Sequence, residues 1–173
     1  MKRKIATATL ATLPTIADFS PTMTERLRLD DPPQTRLDWA LWWAQRGMVL
    51  FPCEVWLGTP LGPRWYSTAT TDRQTIVGWW SAHPDADMAV VPEHSGHFVI
   101  VAHGGLGKSS LFDLQEDEEL QPDFAYRTRW NDLHLWLKGE SPSRKEFAAG
   151  LDIVGAGRFL YLPPSAAPDP VLA

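Results

Sequence analysis

Residues 98–109 read FVIVAHGGLGKS, an unbroken apolar run followed by a glycine-rich turn that holds Lys108 and Ser109. A run without polar alternation is a strand covered on both faces, so it belongs in the middle of a sheet. Read alone, the segment fits the loosest form of a phosphate-binding loop, with Ala102 first and Gly107-Lys108-Ser109 at its end. In such a loop the backbone amides wrap the phosphates, the lysine reaches the phosphoryl oxygens and the serine holds magnesium. Two features argue against it. The first position is not glycine, and no apolar strand ending in aspartate follows, because Asp152 opens its strand instead. The plain alternative is a glycine turn with a solvated lysine, and an ATPase is the last-ranked function.

The chain has 173 residues, the size of one domain. We divide it into an N-terminal arm over residues 1–30, a domain over 31–165 and a loose tail over 166–173. A domain of this length buries a core without disulfides or structural metal. The formal charge of -5 opposes a bulk electrostatic grip on nucleic acid and leaves room for a local basic patch. Nine tryptophans are expected mostly in the core or a crevice. The single cysteine, Cys53, follows an apolar run and reads as a buried thiol. The N-terminus begins with basic residues, but threonines dilute its apolar stretch below that of a secretory leader. No segment approaches a membrane span, so the expected compartment is the cytoplasm, with no membrane partner.

Periodicity places the elements. Asp31-Pro32-Pro33 suits a helix start, Leu37, Ala40, Leu41 and Ala44 keep helical spacing, and Gly47 ends the helix. Residues 48–52 read as a strand and 54–66 as loop. Thr71 and Gln74 have capping-box spacing before a short helix that carries Ile76, Val77, Trp79 and Trp80. Strands are expected at 88–91 and 98–102, and a helix at 111–120 with an acidic run at 116–119. Strands at 124–130 and 133–137 flank a turn at Asn131-Asp132, residues 138–150 form a polar excursion, and short strands follow at 152–154 and 159–162. The class is α/β (α+β), a mixed sheet flanked by helices.

Several blocks agree, in order, with one known family. They are ALWWAQRGMVLFP from Ala40, YSTATTDRQTIVGWWSAHPDADMAVVP from Tyr66, HFVIVAHGGLGKSSLFDLQ from His97, YRTRWNDLHLWLK from Tyr126 and AGLDIVGAGRFLYLPPS from Ala149. From about Leu37 to Ser165 the chain resembles the N-terminal primase-polymerase domain of bifunctional replication proteins of phages, plasmids and integrated elements. The most specific block is the threonine-aspartate turn with its double-tryptophan helix. The resemblance implies a core like that of archaeal and eukaryotic primases. It implies divalent metals, held by two carboxylates on one strand and a third on a neighbour, for nucleotide transfer.

The resemblance puts the two strand aspartates at Val101 and His103, the third at Asp152 and the family histidine at His134. Arg64 is all that the loop before Tyr66 offers for the family's nucleotide lysine. Valine binds no metal. Asp152 and His103, with His134, make a set suited to a softer transition metal rather than a magnesium pair. A plain structural role for each of the three stands beside this reading. No resident cofactor is therefore expected, with magnesium or manganese relevant only to a rearranged working site.

A fold of this kind without its metals can still bind single-stranded DNA or a nucleoside triphosphate. Arg127 and Arg129, on one face by strand alternation, with Lys138, Arg158 and Lys108, are the candidate phosphate contacts; solvation is the competing role. Trp130, Trp136 and Tyr161 are candidates to stack bases, with core packing as the alternative. A replication protein is the candidate protein partner. The expected ranking is binding module, protein-interaction module, then enzyme with a shifted site. No helicase region of the kind that follows this domain in the family is present in the chain.

Overall fold

The computed structural model describes residues 33–55, 57–117 and 120–166, with side chains of 116 and 117 excepted. The expected arm at 1–30 and most of the tail lie outside the described residues. Helix α1 (Arg36–Ala44) starts at Thr35, whose side chain accepts from the Asp38 amide while Asp38 reaches back to the Thr35 amide. This is a full capping box, set later than the Asp31-Pro32-Pro33 signal suggests. Strand β1 (Leu50–Cys53), a short helix α2 (Trp65–Thr68) inside the expected loop, and α3 (Arg73–Ala82) follow. The cap of α3 is Asp72, accepting from Thr75 N at 2.8 Å, rather than Thr71. Aspartate serves there for the same reason, a side-chain oxygen offered to a free first-turn amide.

Next come β2 (Asp87–Val90), a 3-10 turn over Glu93–Ser95, and β3 (His97–Ala102). Helix α4 runs over Gly104–Asp117, then β4 (Phe124–Arg127), β5 (Leu133–Lys138), β6 (Arg144–Ala148), β7 (Leu151–Val154) and β8 (Leu160–Tyr161). Strand β3 lies centrally, as its apolar run predicts, between β5 and β7 in a sheet ordered β4-β5-β3-β7-β6. A second sheet is ordered β1-β2-β8. The α+β class holds, with one correction. In place of a mixed sheet there are two sheets, and every pairing among the described strands is antiparallel.

Three clusters fill the layers. One face of the larger sheet, with Val99, Val101, Tyr126 and Trp136, packs against α1 and α3 through Trp43, Ile76 and Trp80. The opposite face, with Ile100, Ala102, Ala125 and Leu135, is covered by Leu111 and Leu114 of α4. Phe51 and Ala89 of the small sheet face a third cluster with Trp65 and Phe159. Strands β1 and β2 are thus buried on both faces, which is why their sequences show no alternation. Each large side chain closed off from water here contributes about 1.5–3 kcal/mol. Cys53 is among the buried residues, and burial pushes its thiol up to about 12. Among the described residues no helix is long and apolar enough to cross a membrane.

Candidate functional site

Antiparallel pairing puts His134 of β5, Val101 of β3 and Asp152 of β7 in one row across three strands. Alternation then turns residue 103, just past the end of β3, to the same side as Val101. His103 reaches Asp152 Oδ2 through Nε2 at 3.2 Å and Asp132 Oδ2 through Nδ1 at 3.3 Å. Both ring nitrogens therefore face carboxylates. Partial burial works to lower the His103 pKa, but the hydrogen bonds and charges of Asp152 and Asp132 outweigh it, and the net shift is upward.

Asp152 is engaged at both oxygens. Oδ1 accepts from the Glu146 amide at 2.7 Å. Glu146 has φ 47, inside a register shift of β6, and this left-handed geometry is unusual for a residue with a Cβ. Burial raises the Asp152 pKa, but the Glu146 amide and His103 more than offset it, leaving a carboxylate below its ordinary range.

Asp132 is the residue that sequence reasoning passed over as a turn residue. Its Oδ1 accepts from the Gly104 amide at 3.1 Å, at the first residue of α4. A carboxylate at a helix N-terminus is favoured by the helix dipole and the free amides. The signal lay in the Asn131-Asp132 pair, but only the folded hairpin brings it beside His103.

The glycine segment is not a loop. Helix α4 begins at Gly104, seven residues before the expected start at 111, and the Gly107 amide donates to the His103 carbonyl at 2.9 Å. Lys108 Nζ donates to Asn131 Oδ1 at 2.8 Å. The Gly104 and Gly107 amides and the Lys108 amine bond within the protein, and the sheet is antiparallel. This geometry does not support the phosphate-loop alternative. Close packing accounts for Gly107 instead: a Cβ there would lie 2.4 Å from the Gly150 carbonyl oxygen.

His134 is 7% exposed, and its Nδ1 lies 3.1 Å from the Tyr126 hydroxyl, which donates to the Tyr161 carbonyl at 2.5 Å. Burial pushes the His134 pKa down to about 4, with opposing and assisting charges at Asp132 and His103. A pocket of about 320 Å³ opens beside this row. Val101, Val154 and Leu160 give it apolar wall, and Phe159 and Tyr161 give it aromatic wall. Trp130, 62% exposed, stands at the rim.

Of the expected basic residues, Arg127 and Lys108 come near each other and the others lie apart. Arg127 follows Ala125 by two residues, so it shares the α4 side of the sheet, opposite the pocket. Its charge lowers the pKa of Lys108 there, second to burial. Strand β4 ends at Arg127, so Arg129 is not its strand neighbour. The Arg129 guanidinium donates to the Ser165 carbonyl and lies 4.9 Å from the Trp130 ring centre. Lys138 pairs with Asp123 at 3.2 Å at the far end of β5, about 17 Å along the strand from Leu133. Arg158 is exposed in the β7–β8 connection, next to Phe159. Trp136 is fully buried in the core.

The donor set does not fit a pair of divalent cations. Val101 offers nothing, both His103 nitrogens and both Asp152 oxygens are engaged, and the two carboxylates flank a ring rather than a point. Among the described residues no group of three His, Cys, Asp or Glu side chains is placed to hold a metal ion.

No curated protein sequence matches the chain significantly. Residues 40–171 match the family described as bifunctional DNA primase/polymerase, N-terminal, a span that contains every residue of the row, the pocket and α4. The chain belongs to the bifunctional DNA primase/polymerase N-terminal family.

Proposed function

We propose that this chain is a primase-polymerase-type domain that binds a nucleotide or single-stranded nucleic acid without two-metal nucleotide transfer, as an accessory module in mobile-element replication. The observation that carries the reading is the His103 ring, held between Asp132 and Asp152 where the family's chemistry needs free carboxylates. A ring that bridges two carboxylates satisfies them internally. The adjoining pocket keeps its shape with no metal, because its walls are strand residues and the Phe159–Tyr161 segment.

Two assays test this together. Primer extension with magnesium or manganese is expected to give nothing above a heat-killed control. Fluorescence anisotropy with a single-stranded oligonucleotide is expected to give weak, salt-sensitive binding. Extension that disappears in Asp152→Ala would restore an enzymatic reading with a rearranged site. A protein-interaction role is the second reading, favoured by Leu106 and Phe112, which are exposed on α4. Absence of oligonucleotide binding at low salt would move it to first place.

A further inference from the structure

One ring nitrogen of His134 is committed and the other is not. The Tyr126 hydroxyl has a single proton, and it goes to the Tyr161 carbonyl. Its oxygen can then only accept from the His134 Nδ1–H. In the neutral ring the lone pair falls on Nε2, which has no hydrogen-bond partner among the described residues. Burial keeps the ring neutral, since it depresses the proton affinity to about 4. The His134 side chain lines a pocket, so a ligand there can donate to this acceptor.

The other charged lining atoms are of the same kind. Asp132 and Asp152 present carboxylates, and His103 is tied between them. Apart from Thr128, whose hydroxyl accepts from the Asp132 amide at 3.2 Å, the remaining wall is apolar and aromatic. Phosphates need donors; no lysine or arginine lines the pocket, and Arg158 is exposed outside it, next to Phe159. Arg129 stands beside Trp130 but does not line the pocket, and its guanidinium donates to Ser165. At about 320 Å³ the pocket is at the small end of ligand sites, room for one ring system.

We infer that this pocket takes an uncharged, flat heteroaromatic ring that donates a hydrogen bond, of the nucleobase class, with His134 Nε2 as acceptor and Trp130 as stacking rim. A triphosphate group stays outside it. The inference rests on the nucleotide or nucleic-acid reading above and states which part of that ligand enters.

Calorimetric titration of the full chain compares the common nucleosides, their triphosphates without metal, and inorganic triphosphate. At least one nucleoside binds. Its triphosphate binds within about threefold of it, because the phosphates remain outside. Inorganic triphosphate does not bind. His134→Phe, which removes the acceptor, weakens nucleoside binding about tenfold, as loss of one hydrogen bond does. Trp130→Ala, at an exposed position that leaves the fold intact, also weakens it about tenfold. Inorganic triphosphate that competes with the nucleotide, a triphosphate tenfold tighter than its nucleoside, or unchanged binding in both variants overturns the inference. Oligonucleotide binding with no binding of any nucleoside overturns it and leaves the proposed function standing. Failure of both ligand classes removes the two together.

Discussion

His103 and Asp152 meet at 3.2 Å although one follows the end of β3 and the other lies on β7, and the meeting puts an imidazole against a carboxylate. The second carboxylate, Asp132, arrives from the β4–β5 turn and is also fixed to the start of α4. The ring therefore ties three elements together: the β3–α4 junction, the hairpin turn and β7.

Replacing the ring by a carboxylate is expected to reverse this arrangement. His103→Asp sets three carboxylates against one another, so its melting temperature falls below that of the wild type. Millimolar manganese raises it again by several degrees, at about 2–4 °C per kcal/mol for a chain of this size. The wild type shows no such rise. Thermal melts with and without manganese decide it, and a wild-type protein stabilised as strongly as the variant removes the argument.

His134 gives a pH dependence of defined sign. Its pKa in the folded chain is about 4, below the ordinary 6.5. Between these values the unfolded chain binds the extra proton, so this group's contribution to stability falls as pH drops from about 6.5 to about 4 and is complete above that window. His103, shifted upward, acts in the opposite sense and loses its contribution as pH rises. Urea melts across this range should show a smaller slope with pH in His134→Phe than in the wild type. Nitrogen NMR should find His134 neutral with its proton on Nδ1 at pH 7, and a proton on Nε2 at that pH would contradict the geometry.

The central position of β3 was legible because an unbroken apolar run has one physical explanation, cover on both faces. The start of α4 was not. Glycine is a poor helix former, so Gly104-Gly105 reads as a turn. What overrides propensity is the close approach of Gly107 to the turn at Gly150. Strand β6 was hidden for a related reason: three of its five residues are exposed, so it has no apolar pattern to detect. Alternation read along residues 124–130 set Arg127 beside Arg129, but the strand stops at Arg127. The Asp132–His103 contact depends on a hairpin folding back over about thirty residues of chain, which spacing alone does not reveal.

The separation of Arg127 from Arg129 predicts different phenotypes for the two. Arg127→Glu keeps the wild-type melting temperature, because the side chain is exposed at a strand end. It lowers oligonucleotide affinity only if phosphates track along the α4 side of the sheet, beside Lys108. Arg129→Glu is expected to destabilise the fold by about 1–3 kcal/mol, since the guanidinium holds the Ser165 carbonyl. Paired melting and anisotropy measurements separate the two effects. Equal loss of stability in both variants would show that the segment ending at Ser165 does not depend on Arg129.

Two glycines of the same segment should respond in opposite ways. A Cβ at Gly107 would lie 2.4 Å from the Gly150 carbonyl oxygen and 2.8 Å from the Ala102 carbonyl carbon, both backbone atoms that cannot swing aside. Gly107→Ala therefore forces α4 away from the β3 end and destabilises by about 1–3 kcal/mol. At Gly105 nothing lies within 4 Å of an added Cβ, and the residue is exposed in the first turn of α4. Gly105→Ala is expected to be neutral or stabilising by up to about 1 kcal/mol, from helix propensity. A phosphate-wrapping loop predicts another pattern, in which both substitutions cut ATP affinity with little effect on stability. Melting curves and ATP titrations on the two variants therefore distinguish a packing glycine from a phosphate-binding one, and a stable Gly107→Ala protein that has lost ATP binding would overturn the packing account.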